Sequence, residues 1–161
     1  MKSVPLFLLA ISVGALAADE PLPEVLRALE NLGSAEGARP SEDSRQIAFV
    51  TTLFGSRQAA AMPLDGGYPV QLTAEPGGIV AVRWSPSDAH VVVAVALREG
   101  KRRLLTVDDQ GARAVELDPA PGDQLLGGFT RDGKKLFYGV VDGTAVSLRQ
   151  VGMDASRKVT E

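Results

Sequence analysis

A serine hydrolase needs a hydroxyl nucleophile, a histidine to take its proton and a carboxylate to orient that histidine. This chain has one histidine, His90, and no cysteine. His90 ends the run Ser85-Pro86-Ser87-Asp88-Ala89-His90, whose turn-forming residues make it read as a turn or surface residue rather than a general base. The nucleophile of a hydrolase elbow sits in Gly-x-Ser-x-Gly on a strand-to-helix turn. Ser12, Ser34, Ser56 and Ser147 all lack the paired glycines, so no residue is assigned a catalytic role. A single imidazole and no thiol leave no His- or Cys-rich metal site. The adjacent Asp108 and Asp109 fall short of the six or more oxygens that calcium takes, so neither metal nor cofactor is expected. Lys101-Arg102-Arg103, and Arg131 with Lys134 and Lys135, could meet an anion but read as solvated hairpin tips.

The elements that must position these residues are bounded by composition. With 17 Lys and Arg against 20 Asp and Glu the net charge is −3, which argues against a nucleic-acid partner. A length of 161 residues and 45% hydrophobic content suit one ordinary globular domain and exclude a disordered chain. At the start, Met1-Lys2, the apolar run Val4 to Leu16 and the small-x-small triplet Ala15-Leu16-Ala17 form a signal peptide over residues 1–17, with cleavage after Ala17. The chain is therefore expected to be exported, to the periplasm or beyond. No second apolar stretch approaches membrane length, so no stable membrane anchor is expected. Residues 18–39 read as a short helix with Val25, Leu26, Leu29 and Leu32 on one face, then a linker. Within it, Ser34 to Arg39 is small and polar, either linker or a poorly formed first strand.

Residues 40–161 repeat. Acidic turns at Asp43, Asp88 and Asp132-Gly133 are 45 and 44 residues apart. Glycine turns recur at Gly55, Gly100 and Gly143, and hairpin turns at Asp65-Gly66-Gly67, Asp109-Gln110-Gly111 and Met153-Asp154-Ala155. Between them, Ile47 to Thr52, Val91 to Leu97 and Leu136 to Val141 are apolar and rich in β-branched residues, as buried strands are. Val91 to Leu97 is apolar at every position, so both its faces should be covered by other sheets. Ile79 to Trp84 and Gln124 to Phe129 each end on an aromatic, and Trp84 and Phe129 are expected to pack between repeats. Four strands per unit at this period define an all-β fold, an incomplete β-propeller of about three four-stranded antiparallel blades: about 40–77, 78–122 and 123–161. The alternative is a β-sandwich with evenly spaced strands.

The motifs resemble a known family. Trp84-Ser85-Pro86-Ser87-Asp88, Phe129-Thr130-Arg131-Asp132-Gly133 and Met62-Pro63-Leu64-Asp65-Gly66-Gly67 with Leu72-Thr73 look like TolB-like propeller repeats. They depart at Asp43-Ser44, which lacks the usual glycine, and at the inserted Ser87, where distorted turns are expected. A signal, a short Leu-rich helix and then a first blade resemble exported members of the prolyl oligopeptidase family of serine peptidases. That resemblance implies a non-catalytic propeller that gates peptide substrates to a C-terminal α/β-hydrolase domain. The partners it implies are further blades and that hydrolase domain, both absent from this chain, which is expected to be the front of a longer protein. A TolB-like periplasmic binding module is the alternative.

Overall fold

The computed structural model of the protein describes residues 33–111, 114–153 and 159–160. The signal peptide over 1–17, the helix expected from Pro23 to Leu32, and Asp154 with Ala155 lie outside the described residues. Every described element is a strand. The first sheet is β1 (Ala35–Pro40), β2 (Gln46–Phe54), β3 (Ser56–Pro63) and β4 (Val70–Gln71). The second is β5 (Ile79–Ser85), β6 (Asp88–Arg98), β7 (Lys101–Asp108) and β8 (Ala114–Glu116). The third is β9 (Asp123–Phe129), β10 (Lys135–Asp142), β11 (Ala145–Gly152) and β12 (Val159–Thr160). Within each, spatial order follows chain order and all pairings are antiparallel, the meander of a propeller blade.

The coverage of β6 shows how the blades stack. Val92, Ala94 and Ala96 enter a core with Ala48, Val50, Ala59 and Ala61 of the first blade, while Val93 and Val95 enter a second core with Leu136, Tyr138, Val140 and Val151 of the third. Val92 to Ala96 are therefore buried on both faces by two neighbouring sheets, while at the ends of the apolar run Val91 is half-buried and Leu97 exposed. Each fully buried Val or Leu contributes about 1.5–3 kcal/mol relative to exposure, so these two junctions are the stabilising units of the array. Alanines dominate the first-blade side of the first junction, and Trp84 supplies the bulk there, only 5% exposed.

One boundary moves. The expected start of the first blade at residue 40 falls too late, because the segment left open as linker or strand is β1, paired to β2 from Ala35↔Thr51 to Pro40↔Ile47. All six β1 residues are exposed, so no apolar alternation marked it.

The acidic turns share one hydrogen-bond pattern. Asp43 Oδ1 accepts from the Ser41 hydroxyl (2.7 Å) and the Arg45 amide (3.1 Å), and Asp132 Oδ1 from the Thr130 hydroxyl (2.6 Å) and the Lys134 amide (3.1 Å). These bonds, the hydroxyl's first, hold both carboxyls below their ordinary pKa. Asp88 Oδ1 accepts the equivalent amide, that of His90, at 2.9 Å. The distortion expected at Ser44 does not occur: Ser44 takes φ 55°, the left-handed backbone that Gly133 adopts at φ 69°, and the turn bonds are kept. The glycine is needed in the third blade for space as well. A Cβ on Gly133 would lie 2.7 Å from the Ser87 amide nitrogen, and the Ser87 hydroxyl donates to the Gly133 carbonyl at 3.0 Å. The inserted Ser87 thus shifts the β5–β6 register after Trp84 and ties its turn to the next blade. A side chain in left-handed backbone costs roughly 1 kcal/mol. Ser44→Gly should accordingly raise unfolding free energy by about 1 kcal/mol, read as a higher urea midpoint at unchanged slope.

Candidate functional site: the blade junctions and the turn face

His90 stands at the repeat position of Arg45 and Lys134, each two residues after the turn aspartate. The carbonyls of all three accept an amide from the next hairpin turn, from Asp109, Leu64 and Met153 respectively. The side chain of His90 reaches the nearly buried Asp109, with Nδ1 to Oδ2 at 2.9 Å. Gln46 Nε2, from β2 of the first blade, donates to the same oxygen at 2.7 Å. Asp109 is therefore an interblade tie, a role its sequence neighbourhood did not signal. Burial pushes its carboxyl upward, but the bonds from His90, Gln46 and Gln110 outweigh that and hold it below its ordinary pKa. His90 is raised, first by the hydrogen bond to Asp109 and then by its charge, with Asp88 and Asp43 adding to the field. Its ring partner among the described residues is this carboxylate, not a serine hydroxyl, so the pair has an acid and a base but no nucleophile. No group of three or more metal-ligating side chains occurs among the described residues.

The sign of each shift defines a pH window. His90, raised, stabilises fully below its unfolded-state pKa and loses that contribution as pH rises through its folded value; Asp109, lowered, loses its contribution as pH falls through its own. Warming scans from about pH 6 to about pH 8 should show a small loss of Tm. His90→Lys, which keeps a cation at this position, should flatten that dependence. A slope unchanged by the substitution would assign it to other groups.

Beside this tie a cleft of about 730 Å³ opens on the turn face, lined by Arg45, Gln46, Met62, Leu64, Tyr68 and Asp109 among others. Tyr68 is 93% exposed on its rim.

The opposite ends of the sheets are clasped by ion pairs. Arg98 holds Glu75 in a fork (2.8 and 2.7 Å) and reaches Glu116 at 3.1 Å, which Arg103 also approaches at 3.7 Å. Arg102 grips Asp123 through its amide at 2.7 Å and through its guanidinium, and that hydrogen bonding leads in lowering the Asp123 pKa. The reading of Lys101-Arg102-Arg103 as a solvated tip is thus corrected for both arginines: Arg102 ties the second blade to the start of β9, and Arg103 donates to the Ala120 carbonyl, in the segment leading into the third blade, at 2.6 Å. Sequence alone could not pair them, since their acids lie 13 to 21 residues away.

A second polar node lies buried at the later junction. Asp118 Oδ2 accepts from the Tyr138 hydroxyl (2.7 Å) and from Arg149 Nη1 (3.1 Å), and Oδ1 from the Ala120 amide (2.9 Å). Burial pushes this carboxyl up, but the Ala120 amide, Tyr138 and Arg149 together bring it below its ordinary pKa. Next to it, Gln124 bridges Leu104 N and Asp118 O. At the earlier junction Gln58 bonds Thr73 and both backbone groups of Glu75. Thr73 and Asp118 are 45 residues apart, so the repeat phase was the one available signal for these missed residues.

The residues singled out by sequence fall into two groups. Asp43, Asp132 and Gly133 lie in the turns between first and second strands, Asp88 opens β6 directly after its turn, and Asp65, Gly66 and Gly67 lie in the turn from β3 to β4, with Gly66 and Gly67 at φ 109° and 129°. Trp84 lies in the first interblade core, its Nε1 donating to the Arg39 carbonyl at 2.8 Å, and Phe129 packs half-buried against the second core.

No family model matches the chain. Over 103 residues it is 33% identical to "Uncharacterized peptidase YuxL" of Bacillus subtilis (strain 168), a match covering 63% of this chain and 15% of that protein. Among solved structures, TolB from Acinetobacter baumannii superposes with TM-score 0.62 at 18% identity, covering 79% of this chain and 31% of that one. A putative dipeptidyl aminopeptidase IV from Bacteroides ovatus superposes with TM-score 0.60 at 13% identity, covering 80% and 22%. The chain spans well under half the length of each of these proteins, and the structural likeness is one of fold: the described residues form three blades of a TolB-like β-propeller.

Proposed function

We propose that this chain is the non-catalytic propeller segment of an exported serine peptidase of the prolyl oligopeptidase type, where it gates peptide access to a hydrolase domain. The observation that carries this reading is the 33% identity over 103 residues to an uncharacterized peptidase, in a chain without a Gly-x-Ser-x-Gly motif. The open face of the third blade supports it. Phe137 stands at the repeat position of Val93, which is fully buried by the next blade, yet Phe137 is 36% exposed beside Leu148 at 70% and Val146 at 74%. Such a contiguous apolar face calls for cover, and a further blade of the same build supplies it. Export rests on the signal peptide read over residues 1–17. No helix among the described residues is long and apolar enough to cross a membrane.

The test is to extend the coding region past Glu161 and label its full product with a fluorophosphonate. Labelling of a serine downstream of further blades, lost when that serine becomes alanine, is the expected result. A closed propeller with no hydrolase would overturn it in favour of the second reading, a TolB-like periplasmic binding module, which the superposition on TolB favours.

A further inference from the structure

Arg39 and Arg83 occupy the same repeat position, 44 residues apart, each two residues before the serine that opens its acidic turn. They lie on β1 and β5, the first strands of adjacent blades, which touch each other. Both line one cleft of about 190 Å³, together with Glu36, Val50, Val80 and Leu126 among others. The acid in that lining is already engaged, since Glu36 is held in a fork by Arg57 at 3.0 and 3.1 Å. Arg57, Arg98, Arg102, Arg103 and Arg149 each have a carboxylate within ion-pair distance, whereas among the described residues Arg39 and Arg83 have none. Their one hydrogen bond each goes to a backbone carbonyl: Arg39 Nη1 to Ala38 at 3.4 Å, Arg83 Nη1 to Gly127 at 3.1 Å. A guanidinium carries five N–H donors, so most of the donor capacity of both side chains is unspent. The third blade has Gly128 at this position, with nothing within 4 Å of where its Cβ would stand, so no side chain closes the cleft from there.

We propose that Arg39 and Arg83 together bind the terminal carboxylate of a peptide, with the side chain of its last residue resting on Val50, Val80 and Leu126. Paired guanidinium groups match a carboxylate's two oxygens, and an aliphatic wall beside them matches a C-terminal residue better than a bare anion. The peptide identity rests on the reading of the propeller as a peptide gate; the carboxylate chemistry rests on the cleft. Trp84 is the chain's single tryptophan and bonds the Arg39 carbonyl, so its fluorescence reports on the site.

The experiment titrates the 161-residue chain with the tripeptide Ala-Ala-Val as free acid, the same peptide as C-terminal amide, and acetate, following Trp84 emission. The free acid should bind about 10-fold more tightly than the amide or acetate, a preference that weakens with salt. Arg39→Gln and Arg83→Gln should each remove the preference for acid over amide, while Arg39→Lys and Arg83→Lys, which keep the charge, retain part of it. Equal binding of acid and amide, acetate as tight as the peptide, or no effect of the Gln variants at unchanged circular dichroism would overturn the site. Those outcomes leave the peptidase reading standing, because that reading fails on its own test, the absence of a labelled serine downstream.

Discussion

Asp118→Ala should cost about 3 kcal/mol of stability, because breaking a buried, hydrogen-bonded ion pair by removing one partner is among the most damaging substitutions. The Asp118 side chain is 5% exposed and that of Arg149 19%, so water reaches the node poorly and cannot replace the lost acceptor. The partial exposure of Arg149 places the expectation at the low end of the range for such breaks. Guanidinium denaturation followed by circular dichroism should show the loss. Asp118→Asn, which keeps an acceptor but not the charge, should cost less. Tyr138→Phe, which removes one hydroxyl bond, should cost about 1 kcal/mol. If all three variants cost the same, the charge on Asp118 contributes nothing and the node acts by shape alone.

Trp84→Ala should be at least as costly, about 3–5 kcal/mol, since the indole is the one aromatic of a core whose first-blade side is mostly alanine, and those short side chains cannot collapse to replace it. The damage should also be local. Blades contact only their neighbours, so stability in such arrays is a sum of unit and interface contributions. Hydrogen exchange should therefore show β2 and β3 losing protection before β10 and β11 in Trp84→Ala, with the reverse order in Asp118→Ala. Trp84→Phe keeps most of the volume but strips the Arg39 carbonyl of its indole donor, and should cost about 1–2 kcal/mol. Uniform loss of protection across all three blades in either variant would count against junction-by-junction stability.

The amino-acid sequence by itself determined the strands and their grouping. Strand identity follows from local chemistry: β-branched runs such as Val91 to Leu97, turn residues in phase at Asp43, Asp88 and Asp132, and a period that returns every fourth strand. The apolar run Val91 to Leu97 within β6 even foretold cover on both faces, because a residue that cannot meet water must meet another sheet. β1 escaped because none of its residues is buried, so nothing in its pattern distinguishes strand from linker. The polar junctions could not be read at all. Which carboxylate Arg98, Arg102 or Arg149 would take, and that Gln46 and His90 would converge on Asp109, depends on how one blade is set against the next. An ion pair forms wherever the backbone delivers two side chains within a few ångströms, and that placement is decided by packing of the apolar faces rather than by the charged residues themselves. The same is true of Arg39 and Arg83, whose meeting in one cleft exists only because two first strands lie side by side.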